Sequence, residues 1–161
     1  LEALHADPDN KDIKAEELEA EKKAKADQLK KQADALMSAG KYADAAKTYG
    51  AAAGLNPDDE SLPKLKKMAE RKAEAQRLKE QGLHEVEAGD FAKAVHTFDA
   101  ALKYDPQNKE IQEEREDALR KLKAKDLKAE GEKALKAGDF KKATETLLGA
   151  LQADPYDKET A

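Results

Sequence analysis

Apolar positions recur along this chain in a helical rhythm, and the rhythm itself comes back. Leu29/Ala33/Met37, Leu78/Gly82/Val86 and Leu127/Gly131/Leu135 are spaced by four residues, so each triple shares one helix face. Upstream of each triple the stripe is thinner: Ile13/Ala20/Ala24, Leu62/Ala69/Ala73 and Ile111/Ala118/Leu122. The pattern predicts long helices over roughly Lys11–Ser38, Glu60–Ala88 and Lys109–Ala137. The thin first half of each is expected to bury little, and to stay partly exposed or be covered by a neighbouring helix or partner. Gly40, Gly89 and Gly138 then close the helices, because glycine adopts positive φ without strain. Short helices are predicted at Tyr42–Leu55, Phe91–Tyr104 and Phe140–Ala153. Their inner faces carry large residues at two points (Tyr42/Tyr49, Phe91/Phe98, Phe140/Leu147) and alanines at Ala45/Ala52, Ala94/Ala101 and Ala143/Ala150. The small residues let two helices of a hairpin approach. No stretch alternates with the period of two that marks a strand.

Prolines punctuate the pattern. Pro8, Pro57, Pro106 and Pro155 stand 49 residues apart, and between Leu78–Pro106 and Leu127–Pro155 14 of 29 positions are identical. Such a constant period marks a repeat array. Each proline blocks the preceding helix, and two residues later Asn10, Asp59, Asn108 or Asp157 can cap the next one. The units are therefore 9–57, 58–106 and 107–155. Residues 1–8 match the end of a preceding unit and 156–161 the start of a following one. The chain is expected to be a segment of a longer array.

These residues resemble the tetratricopeptide repeat. The second unit reads Leu78, Gly82, Gly89-Asp90-Phe91, Ala94, Phe98, Ala101, Pro106. The third reads Leu127, Gly131, Gly138-Asp139-Phe140, Ala143, Leu147, Ala150, Pro155, and the first follows with Leu29, Ala33, Gly40-Lys41-Tyr42, Ala45, Tyr49, Ala52, Pro57. The family repeats at 34 residues. The extra residues here lie between the proline and the leucine that opens the family pattern, and amount to about four helical turns or roughly 22 Å. They lengthen the first helix with little rotation of its apolar stripe. The resemblance implies an all-α solenoid of helical hairpins, each with a lengthened first helix. It also implies a non-catalytic scaffold that binds other proteins or peptides on the surface of its first helices. Lys30, Lys79 and Lys128 occupy one equivalent position there, a candidate cation ladder for an acidic segment, with Leu83 and Val86 as candidate apolar contacts beside it. Solvated filler is the plainer reading of those lysines. A subclass of the family clamps a terminal carboxylate with a lysine and an asparagine four residues on. Asp34, Leu83 and Glu132 stand at the asparagine's position, which argues against that clamp.

Composition narrows the classes. Charged residues make up 40% and aromatics 4%, a balance suited to long helices bathed in solvent. The net charge of −5 is spread along the chain with no separate basic face, so nucleic acid is not an expected partner. No cysteine is present, which excludes disulfides and thiolate metal sites and suits a reducing, cytoplasmic setting. No apolar run approaches a membrane span, and Leu1–Asn10 lacks the apolar core of a signal peptide. His5, His84 and His96 share no repeat position and have no ligand partner at helical spacing. The acids Glu113, Glu114, Glu116 and Asp117 lack the glycine and alternating oxygens of a calcium loop, with Arg115 and Arg120 among and after them. The turn glycines stand alone, without the strand a phosphate-cradling loop follows. No enzyme chemistry and no cofactor is expected. The alternative to a binding scaffold is a structural spacer, packed into a filament or a cytoskeletal assembly through its sparse half-helices.

Overall fold

The computed structural model describes residues 11–155. The partial units expected at either end, and the caps expected from Asn10 and Asp157, lie outside the described residues. The fold is all-α, built of helical hairpins of the α-solenoid class. Six helices follow in order: α1 (Lys11–Ser38), α2 (Tyr42–Leu55), α3 (Ser61–Glu87), α4 (Phe91–Tyr104), α5 (Lys109–Lys136) and α6 (Phe140–Ala153). The short helices begin and end at the residues the apolar pattern marks, and the long ones within a residue of it.

Local chemistry sets the boundaries. Gly40, Gly89 and Gly138 have φ of 72°, 75° and 78°. At each one the chain doubles back with the same pair of bonds. The glycine amide donates three residues back and the next amide five residues back, as in Gly89 N to Val86 O (3.0 Å) and Asp90 N to Glu85 O (2.9 Å). The short helices stop one residue before proline. Asn56, Asp105 and Asp154 there have φ near −131° to −134° and ψ of 78° to 90°, the extended backbone a following proline demands. The next helix is then capped: Asp59 Oδ1 accepts from the Ser61 amide at 2.8 Å, and Asn108 Oδ1 from the Ile111 amide at 3.2 Å.

The chain forms two compact units, divided within α3 after Ala73. In the first, α1 and α2 make a hairpin and the start of α3 packs on it. Ala26, Ala33, Ala45, Tyr49 and Ala52 form one core with Leu62 and Ala69 of α3. In the second, the end of α3 pairs with α4, and α5 covers that hairpin: Ala75, Ala94, Phe98 and Ala101 share a core with Ile111 and Ala118. α6 then folds back on α5.

The expectation that the thin stripe buries little is corrected in α3 and α5. Leu62, Ala69, Ile111 and Ala118 are all 0–1% exposed. Seven residues separate each large side chain from its alanine. The alanine admits the preceding short helix closely while the large residue fills the space beside it. Burying Leu62 or Ile111 contributes about 2 kcal/mol each. In α1 the equivalent Ile13 is only half-buried and Ala20 is exposed.

Glycine inside two long helices answers to the same need for close approach. A Cβ on Gly82 would lie 2.6 Å from the Phe98 ring, and one on Gly131 2.7 Å from Leu147 Cγ.

Candidate functional site

The lysine positions expected to meet a partner sit at the joints between successive hairpins. Lys30 Nζ on α1 donates to Asp59 Oδ2 at 3.1 Å and to Ser61 Oγ at 2.6 Å, at the start of α3. Hydrogen bonds from the Ser61 hydroxyl and amide, and then from Lys30, hold the Asp59 carboxyl down at about 2. Lys79 on α3 pairs in the same way with Glu110 at the start of α5. Ser61 and Glu110 stand at equivalent positions, 31 residues beyond their lysines. Both lysines therefore tie the second half of one long helix to the first turn of the next. For Lys128, which is half-buried, the equivalent acids Asp157 and Glu159 lie outside the described residues.

Leu83 and Val86 are partly buried against the core of the α3–α4 hairpin. The position of Leu83 has a packing role. In the first hairpin Asp34 takes its place and accepts a 2.5 Å hydrogen bond from the Tyr49 hydroxyl. In the second, Leu83 accompanies Phe98, which has no hydroxyl to satisfy. Burial, and then the bond to Asp34, push the Tyr49 phenol up to about 12.

One charged residue escapes any reading of the stripe. Glu85 is only 6% exposed. Its Oε2 accepts from the Thr97 hydroxyl at 2.6 Å, and its Oε1 from Gln81 Nε2 at 2.9 Å and Lys93 Nζ at 3.3 Å. Burial alone would raise its pKa. The three donors outweigh it and hold the carboxyl below its ordinary value. The signal was present in the repeat: Leu36 and Ala134 occupy the equivalent positions, so a carboxylate stands there among apolar counterparts.

The short helices carry a second recurring feature. Lys72 lies 5.6 Å over the Tyr42 ring, and Lys125 the same distance over Phe91 while also donating to the Gly89 carbonyl at 2.9 Å. About two turns further along, Gly50 faces the Lys66 stem, and Asp99 accepts from Arg115 Nε at 2.5 Å. The long helix that follows thus covers the outer face of α2 and of α4. On α6 the same positions are Phe140 and Leu148, and they are 70% and 55% exposed.

A groove of about 560 Å³ between α5 and α6 is lined by both signs of charge, with Lys142 Nζ 2.8 Å from Glu130 Oε1 across it. Among the described residues no group of three His, Cys, Asp or Glu side chains is placed to hold a metal ion, and no helix is long and apolar enough to cross a membrane. His84 lies on the surface beside Glu87, and His96 is exposed.

The tetratricopeptide repeat family model matches residues 30–62 and 79–158. The unmatched stretch between them, 63–78, falls in the lengthened part of α3. No curated protein and no solved structure matches the chain significantly. With its hairpin pattern present three times and the family match covering well over half its length, the chain belongs to the tetratricopeptide repeat family.

Proposed function

We propose that this chain is a non-catalytic scaffold that binds helical segments of other proteins. Tetratricopeptide repeats in general serve protein–protein interaction. The observation that carries the reading is the outer face of α6. Phe140 and Leu148 are exposed there, while the same face of α2 and of α4 is covered by a following long helix. A surface that twice receives a helix within the chain is suited to receive one from outside. A helix-in-groove partner would present a large aliphatic residue, a small residue seven positions on and a basic residue near the ring. An acidic segment is the less supported partner, because it would reach Lys30 and Lys79 only in competition with Asp59 and Glu110. The cysteine-free composition supports placing the scaffold in a reducing, cytoplasmic setting.

The test uses a synthetic peptide of residues 109–136, the helix that covers α4, titrated into the whole chain while backbone NMR shifts are followed. Saturable shifts confined to residues 140–151, and lost in Phe140→Glu, support the reading. No shift with peptide at about 1 mM, or shifts unaffected by Phe140→Glu, contradict it. A second reading, an assembly component, is favoured by the exposed stripe at the start of α1, where Leu18 and Ala20 meet solvent.

A further inference from the structure

The lengthened first halves of α3 and α5 carry opposite charges at the same outward positions. On α3, Lys64 and Lys67 are exposed, and Met68 beside them is 43% exposed. On α5 the equivalent residues are Glu113 and Glu116, also exposed. Residues three apart on a helix share a face, so each pair forms one patch. In α1 the same positions are Ala15 and Leu18, so the contrast in sign belongs to α3 and α5. The exposure does not depend on where the chain stops. α3 has a hairpin before it and another after it, and still leaves these positions open.

The charges around these patches are already used. Lys66 pairs with Glu70 on α3, Asp117 with Arg120 and Lys121 on α5, and Arg115 with Asp99 of α4. Lys64, Lys67, Glu113 and Glu116 have no such partner among the described residues. A solvated helix face needs only charge, of either sign. Here two free cations and two free anions stand at one spacing, on helices of the same repeat.

We propose that the α3 patch of one copy docks on the α5 patch of a second copy of this chain. Because both pairs are spaced by three, two ion pairs form whichever way the helices run: Lys64 with Glu113 and Lys67 with Glu116, or Lys64 with Glu116 and Lys67 with Glu113. Met68 is covered by the same contact. Exposed ion pairs are individually weak and are screened by salt, so the association is weak and salt-sensitive. One surface meets a different one, so the contact is heterologous, and copies add in succession unless a ring closes. The proposal goes beyond the reading above and uses neither α1 nor α6.

The experiment is sedimentation velocity on the 161-residue chain from about 10 μM to about 1 mM, in about 20 mM and about 500 mM salt. Three variants accompany it: Lys64→Glu with Lys67→Glu, Glu113→Lys with Glu116→Lys, and all four together. Every substitution is at an exposed position and exchanges one good helix former for another, and circular dichroism checks that each variant remains folded. The unchanged chain should gain mass with concentration at low salt and lose that gain at high salt. Each twofold variant sets like charges against each other and should weaken association by about 10-fold or more. Mixing the two twofold variants should restore it, since each then offers the sign the other lacks. The fourfold variant keeps the formal net charge of −5 and should associate as the unchanged chain does. A chain that stays monomeric to about 1 mM at low salt overturns the proposal. So does association that the twofold variants leave intact, or a fourfold variant that fails to recover it, because net charge alone would then be at work. None of these variants alters α6, so the peptide titration still decides the helix-receiving reading separately.

Discussion

Replacing Gly82 with alanine opposes two effects that the structure allows to be weighed. Gly82 lies inside α3, where alanine ordinarily stabilises a helix by about 1 kcal/mol. Its new Cβ would lie 2.6, 2.8 and 2.9 Å from three atoms of the Phe98 ring. That ring is fully buried, so it moves only if α4 moves with it. Overpacking of this kind costs about 1–3 kcal/mol. The net expectation is a loss of about 1 kcal/mol. Gly50 is the control: it lies mid-helix in α2, and its nearest neighbours are Lys66 side-chain carbons at 3.7 Å. Gly50→Ala should gain about 0.5–1 kcal/mol. Gly131→Ala should fall between them, since Leu147 is half-buried and can turn aside. Urea unfolding followed at 222 nm orders the three variants, and Phe98→Leu added to Gly82→Ala should recover part of the loss. Copy one shows that a methyl can be built here, with Ala33 beside a Tyr49 tethered to Asp34. A Gly82→Ala chain as stabilised as Gly50→Ala would refute the close approach of α3 and α4.

The same hairpins give three further expectations. Tyr49→Phe should lose about 1 kcal/mol at pH 7 by leaving Asp34 without its donor, and adding Asp34→Leu should restore most of it, as the pair Leu83 and Phe98 does in copy two. In a spectrophotometric titration one tyrosine should ionise near 12. Its neutral form is the one the fold favours, so its contribution is complete below about 10 and is lost as pH rises through about 12; a single tyrosine class near 10 would sink this. Glu85 has its pKa lowered by folding, so its contribution is present above the ordinary glutamate value and is lost as pH falls through the lower folded value. Urea midpoints should drop as pH falls below the ordinary glutamate value, less so in Glu85→Gln, and an equal drop in both would show that the carboxylate is not held by Thr97, Gln81 and Lys93. Ser61→Ala should raise the Asp59 pKa from about 2 toward its ordinary 3.8, read from carboxyl carbon shifts; no change would show that the Ser61 hydroxyl does not hold the carboxylate.

Much of this architecture is legible in the residues, because short-range rules act at its boundaries. A glycine that closes a helix, a proline that forbids the next turn and an asparagine that caps can each be placed without knowing what packs where. Burial of the thin stripe was less legible. Leu62 and Ala69 look sparse on a single helix, and only the preceding short helix, itself rich in alanine, shows why two residues per two turns suffice. Glu85 was hidden for a related reason. A carboxylate on a helix reads as solvent-facing until Thr97 and Lys93 arrive from another helix. The three lysines share one equivalent position in the sequence, but the partners of Lys30 and Lys79 come from the first turn of the next long helix, some thirty residues away in the chain. The exposure of Phe140 on α6 stands out only when the same position is compared in three copies, exposed in one and partly covered in two.

The central claim is that one enlarged hairpin recurs, each long helix running unbroken from its cap to a glycine turn. Backbone NMR assignment with carbon chemical shifts and amide exchange tests it most directly. Continuous helical shifts over 61–87 and 109–136, with breaks at Gly40, Gly89 and Gly138 and ahead of Pro57 and Pro106, are the expected result. Protection should reach Leu62 and Ile111 in the lengthened halves. Helical shifts that lapse between residues 63 and 78, or amides around Leu62 and Ile111 that exchange as freely as an unfolded chain, would contradict it.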